Sequence, residues 1–203
     1  MALSFQTKAI AVTAVVIVGA AVYFNRASSA PEFPPRPSPT LKGKKEFPKI
    51  KSFTSTATVH DGDTIDVLID GKKWGVRIWG IDAPELKQTC TKDFKEVACG
   101  AMALNEMAAI INKRSVSCEF KARSYNRIVA KCFAGDTDIG RELIRRGYAF
   151  NYGQYSKDAY KADETYAKGA KLGLWTMTWL TPECWRDTNL KGSRRGRPSR
   201  CDL

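Results

Sequence analysis

Histidine is almost absent from this chain: one residue, His60, in 203. The six cysteines, Cys90, Cys99, Cys118, Cys132, Cys184 and Cys201, include no C-x-x-C pair. A tetrahedral zinc centre, which needs clustered thiolates or imidazoles, is therefore excluded. No internal repeat is present, which rules out solenoids and propellers. At 203 residues and 43% hydrophobic content the chain lacks the material for two large cores, so one domain with appendages is expected.

The central span also lacks the charge excess of the whole. The formal net charge is +12, yet residues 51–187 hold 21 Lys/Arg against 18 Asp/Glu. Most of the excess sits at the two ends, where basic tails serve equally as solubilising segments or as nucleic-acid contacts.

With zinc excluded, the cysteines read as disulfides, which belong to an oxidising compartment. The spacing leaves many pairings open, with two local ones favoured. Cys118 and Cys132 lie in strand-like runs joined by a polar turn, and Cys90 and Cys99 bracket a short charged loop. Residues 9–24 form an uncharged apolar run, slightly short for a spanning helix of roughly 17–25 residues and long for a signal-peptide core. Ser28-Ser29-Ala30 suits a cleavage site, and Arg26 suits an uncleaved anchor. Export is expected either way, to a periplasmic or extracellular location or to a membrane reached through residues 9–24. Residues 1–30 are thus a signal peptide or anchor and 31–50 a Pro/Lys-rich tether. Residues 51–187 are the domain and 188–203 a basic tail, with 191–200 expected to be disordered. A basic tether that binds anionic lipid is a further reading of the same segment.

Within the domain, residues 54–60, 64–69 and 74–81 are short β-branched runs broken by Asp61-Gly62-Asp63 and Asp70-Gly71, the latter a strong hairpin signal. Residues 100–112 place Leu104, Met107, Ala108 and Ile111 on one helix face. Strand character returns at 115–120 and 127–133. A short helix is expected over 139–146 with Asp138 as N-cap, and a longer one over 159–171 ending at Gly173. The order predicts an α+β fold, compatible with a small barrel carrying helices.

If the first three strands form a meander, the Asp61–Thr64 junction and the end of the third strand share a rim. Asp63, Asp82 and Glu85 then converge. Such a group repels itself unless a cation or an arginine is present, and oxygen-only donors suit calcium or magnesium rather than zinc. Alone, Asp-Gly-Asp reads as a turn and Asp-Ala-Pro-Glu as a strand terminator; with Arg77 five residues before Asp82 the coincidence is hard to assign to chance. An ion pair from Arg77 to Asp82 or Glu85 is the plain structural explanation of an arginine in an apolar strand.

The segments HDGDTIDVLIDGKKWGVRIWGIDAPE, RSYNRIVAKCF, IGRELIRRGYA and GLW, in that order between about residues 54 and 175, resemble the staphylococcal nuclease (thermonuclease) family. The resemblance implies a five-stranded OB-type barrel with three helices that hydrolyses phosphodiesters in DNA and RNA with Ca2+. It implies that Asp63 and Asp82 hold the metal by their carboxylates and Ala83 by its carbonyl. Arg77 and Arg127 match the phosphate-binding arginines, Glu85 the residue that handles the attacking water, and Tyr125 a contact to the terminal phosphate. Three positions depart from the pattern: Ala83 stands for a threonine, Ser124 for a lysine and Asn126 for a turn glycine, a place Asn tolerates at positive φ.

Other aromatic residues divide by spacing. Tyr155 is a candidate to stack on bases, Tyr148 a core residue, and Trp175, Trp179 and Trp185 packing residues. His60 falls where the family uses no catalytic group. The expected partner is nucleic acid, bound through phosphates with little sequence specificity, and the protein is expected to be a monomer. The alternative is a noncatalytic nucleic-acid- or protein-binding OB module, which would be expected to lack some of the five residues Asp63, Arg77, Asp82, Glu85 and Arg127.

Overall fold

A computed structural model describes residues 46–189. The apolar run 9–24, the tether up to residue 45 and the tail 191–200 lie outside the described residues. Among the described residues no helix is long and apolar enough to cross a membrane.

The elements run β1 (Ser52–Ser55), β2 (Ala57–Val59), β3 (Thr64–Ile69), β4 (Lys72–Ile78), β5 (Ile81–Asp82), β6 (Cys90–Lys92), β7 (Lys95–Val97) and α1 (Cys99–Ile111). There follow β8 (Val116–Ser124), β9 (Arg127–Ala134), β10 (Thr137–Asp138), α2 (Ile139–Arg145), β11 (Phe150–Asn151), α3 (Gly153–Ser156), α4 (Lys161–Gly169) and α5 (Pro182–Asn189). This is a mixed α+β fold. Its main sheet has seven strands in the path β1-β8-β9-β4-β3-β2, with β10 added to β9. The strands β2, β3 and β4 form the expected antiparallel meander, although the first expected strand, 54–60, splits at Thr56 and its first two residues belong to β1, which pairs with β8; β4 pairs in parallel with β9.

The sheet differs from a simple five-stranded barrel. Its end strands β1 and β2 are consecutive in the chain, with only Thr56 between them, and no ladder joins them. Among the described residues there are five α-helices rather than three. The helix expected over 159–171 contracts to α4, because Lys157 and Asp158 before it and Lys171 after it all take positive φ. The third expected strand splits at Gly80, also at positive φ, so that β5 leaves the main sheet and pairs with β11.

Period-two alternation builds the core. Ile65, Val67 and Ile69 of β3, Trp74, Val76 and Ile78 of β4, and Ile128, Ala130 and Cys132 of β9 all point inward. On α1 the buried face is Ala103, Met107, Ile110 and Ile111, whereas the spacing predicted Leu104, Met107, Ala108 and Ile111. The helix is turned so that Ala103 meets the Asp61–Asp63 turn, and Ala108 is exposed. Asp138 caps α2 as expected, accepting from the Arg141 N–H at 3.2 Å.

Both favoured disulfides are present. Cys118–Cys132 ties β8 to β9 at directly paired positions. Cys90–Cys99 closes the segment that holds β6 and β7, a hairpin where a loop was expected. Cys184 is disulfide-bonded as well. Phe150, Trp175 and Trp179 pack edge-to-face or tilted on one another, and Tyr148 packs on the main core.

Candidate active site

The rim shared by the β2–β3 turn and the end of β4 forms from local chemistry. The Asp61 carboxylate accepts from the Asp63 N–H at 3.0 Å, an Asx turn that fixes the approach to β3. The Ile78 N–H donates to the Asp63 carbonyl at 2.8 Å, bringing the third strand's end beside the turn. Gly62 makes that approach possible, since a Cβ there would lie 2.8 Å from the Cβ atoms of both Ala83 and Ala103. Gly100 does the same for the following loop: its Cβ would overlap the Glu85 carbonyl oxygen. The register of β5 with β11, Asp82 opposite Phe150, holds the second carboxylate in place.

Three carboxylates and two guanidinium groups interlock there. Arg77 reaches Asp63 and Asp82, each at 2.7 Å, which is the ion pair its setting required. Arg186, on α5, donates from Nη2 to Asp82 Oδ2 at 3.1 Å and from Nη1 to Glu85 Oε1 at 2.7 Å and Asp82 Oδ1 at 3.2 Å. Thr64 donates to Asp63 at 2.9 Å and accepts a long 3.4 Å bond from Arg127. Arg127 therefore connects to the carboxylates only through a hydroxyl, and its guanidinium faces the cleft.

Burial dominates the electrostatics. Asp63, 5% exposed, has its carboxyl pushed up to about 7, chiefly by desolvation, with the Asp61 and Asp82 charges adding and Arg77 opposing. A single guanidinium does not compensate so deep a carboxylate. The carboxylates gathered here, Asp63, Asp82 and Glu85, offer only oxygen donors, a chemistry that would suit a hard divalent cation. Among the described residues no three His, Cys, Asp or Glu form a ready-made metal group, since Arg77 and Arg186 lie between the carboxylates.

The site opens into a cleft of about 1050 Å³ lined by Arg77, Glu85, Arg127 and Arg186 and, further out, by Arg123, Tyr125, Tyr152 and Tyr155. Tyr125 is 92% exposed at the β8–β9 turn. It is Tyr125, not Asn126, that carries the positive φ there, because the two-residue loop between Ser124 and Arg127 places its left-handed residue first. Tyr155 stands edge-on to Tyr152 with ring centres 4.7 Å apart. His60 is mostly exposed, 3.8 Å from Asp66, and stays outside the site. Seven of the eight sequence-predicted site residues line this cleft, and the eighth, Asp82, is held by two of its arginines.

Arg186 is the residue that the sequence reading missed. The available signal was the helix start Thr181-Pro182-Glu183: the Thr181 hydroxyl accepts from the Cys184 N–H at 3.2 Å, with Pro182 in the first turn.

Residues 75–177 match the family model described as staphylococcal nuclease homologue. The chain belongs to that family. It is similar to a protein named "Uncharacterized endonuclease" of Escherichia coli, 31% identical over 132 residues that make up 63% of this chain and 80% of that one. It is similar also to "Endonuclease YncB" of Bacillus subtilis, 29% identical across 58% of this chain and 59% of that one. With "Micrococcal nuclease" of Shigella flexneri it shares 32% identity across 58% and 70% respectively. The family match begins after Asp63 and stops short of α5.

Proposed function

We propose that the protein is a divalent-cation-dependent endonuclease that hydrolyses phosphodiester bonds in DNA, RNA or both, with calcium as its metal. The observation that carries this reading is that Arg77 joins Asp63 to Asp82 and Arg186 joins Asp82 to Glu85, beside a cleft that Arg127 also lines. The nuclease names of the relatives and the completeness of the five-residue set support it. Thr56, the single residue between the two end strands of the sheet, supports reading the fold as an OB-type barrel in which the edge strand bends there.

Asp63, Asp82 and the Ala83 carbonyl would hold the cation. When bound, it supplies Lewis-acid stabilisation of the charge that builds on the phosphate oxygens. The protein's own groups do the rest. Arg127, with one long hydrogen bond to Thr64, is free to turn its planar fork onto a non-bridging oxygen, and Arg77 supports the opposite side. Glu85, on the cleft wall, takes the proton from the attacking water at a carboxylate oxygen. Tyr125 and Tyr155, both exposed on the cleft's outer wall, would contact terminal phosphate and bases. Phosphate-directed contacts give little sequence specificity.

Disulfides within the domain support export to an oxidising compartment, with residues 9–24 as cleaved leader or retained anchor. The purified full chain, incubated with supercoiled plasmid, is expected to nick and linearise it when calcium is present and to stop when a chelator is added. Plasmid left intact at all calcium concentrations would overturn the reading.

A further inference from the structure

Arg186 occupies a place that the proposed reaction needs for something else. Both oxygens of Asp82 already accept from guanidinium groups: Oδ1 from Arg77 at 2.7 Å and Arg186 at 3.2 Å, and Oδ2 from Arg186 at 3.1 Å. Glu85 accepts from the same Arg186 nitrogen that reaches Asp82 Oδ1. A hard divalent cation takes about six to eight oxygen donors at roughly 2.3–2.6 Å, and while Arg186 is seated both lone pairs of Asp82 Oδ1 and one of Oδ2 are taken, which leaves Asp82 a single lone pair to offer it. A second positive charge against the same carboxylate adds direct repulsion.

The helix that carries Arg186 is suited to moving. It lies beyond residue 177, where the family match ends. None of its residues belongs to either buried apolar cluster of the described residues. Its buried residues are Pro182 and the disulfide-bonded Cys184, and the Leu180 carbonyl just before it accepts from Gln88 at 2.7 Å. These lie at or before the helix's first turn, upstream of Arg186. A helix whose burial is confined to its first turn belongs to the low-stability part of a fold.

We propose that α5 is a strap whose Arg186 stands in for the cation in the metal-free protein, and that divalent-cation binding and Arg186 seating exclude one another. Without the cation, Asp63, Asp82 and Glu85 would face Arg77 alone. Arg186 relieves that repulsion and at the same time covers Glu85. Because linkage is reciprocal, the cation lifts the strap as strongly as the strap weakens cation binding. This inference rests on the proposed metal role of Asp82, and its test separates the two.

Calcium binding to the full chain is measured by titration calorimetry for the wild type, Arg186→Ala and Arg186→Gln, together with amide hydrogen exchange of residues 183–189 in calcium and in chelator. Either variant is expected to bind calcium about 5- to 150-fold more tightly than the wild type, the usual span of a coupling between sites. In the wild type, calcium is expected to speed exchange in α5. Equal or weaker calcium binding by both variants, or slower exchange of α5 with calcium, overturns the strap while leaving the metal role of Asp82 intact. Calcium binding by none of the three proteins overturns the strap and the metal role together.

Discussion

Gly62 and Ala83 pack so closely that a Cβ on the glycine would lie 2.8 Å from the alanine's Cβ. This contact joins the two halves of the site, the turn that carries Asp63 and the strand end that carries Asp82. Gly62→Val is therefore expected to drive the halves apart. Overpacking of this kind costs about 1–3 kcal/mol, and denaturant unfolding with chelator present should show a loss in that range. A variant as stable as the wild type would mean that the turn gives way without cost.

The two cleft arginines should behave differently when removed. Arg77 holds Asp63 and Asp82 at 2.7 Å each, and its loss leaves buried carboxylates without their partner. Arg77→Ala is expected to cost on the order of 3–5 kcal/mol of metal-free stability. Arg127 makes one 3.4 Å bond, so Arg127→Ala should move unfolding by less than about 1 kcal/mol. Comparable losses from both would show that Arg127 also supports the fold.

Asp63 gives the metal-free domain a pH dependence of known sign. Burial pushes its carboxyl up to about 7 in the folded protein, from an ordinary 3.8. Between those two pH values the native state keeps a proton that the unfolded chain has lost, so the contribution of Asp63 to stability falls as pH rises through that window. The slope is of order 1.4 kcal/mol per pH unit. In chelator, Asp63→Asn should therefore gain stability relative to the wild type from pH 4 to pH 7. A difference that stays flat or reverses would place the Asp63 carboxyl in the ordinary range.

Cys118 and Cys132 sit opposite each other in the β8–β9 ladder, 14 residues apart in sequence. Cross-linking a loop of this length contributes about 3 kcal/mol by restricting the unfolded chain. The double variant Cys118→Ala/Cys132→Ala should unfold at lower denaturant by about that amount and still cleave nucleic acid when folded. Retained stability would assign the bond to something other than holding the hairpin.

The site was legible wherever its geometry is local. Asp61-Gly62-Asp63 joins two strands of the meander and Asp82-Ala83-Pro84-Glu85 follows closely on the end of its third strand, so the meander's register brings the two segments near one rim, where the pairing of β5 with β11 then holds Asp82. Arg77 was legible because an arginine in an apolar strand needs a carboxylate. Arg186 was not, because its partners Asp82 and Glu85 lie about a hundred residues away in sequence and no periodicity encodes such a pairing. The split between β4 and β5 was missed for a similar reason: Gly80 looks harmless in a strand pattern until β11 supplies a competing partner for β5. On α1 the period was right and the rotation wrong, since close contact between Gly62 and Ala103 set the face.

Turnover is the most direct measure of the central claim. With calcium present and folding verified, plasmid nicking by Glu85→Gln and by Arg127→Ala is expected to fall by about 10²-fold or more relative to the wild type, the usual loss when one group acting on the transition state is removed. Nicking within a few-fold of wild type by either variant would contradict the role assigned to that residue, and near-normal rates from both would leave this cleft without its proposed chemistry.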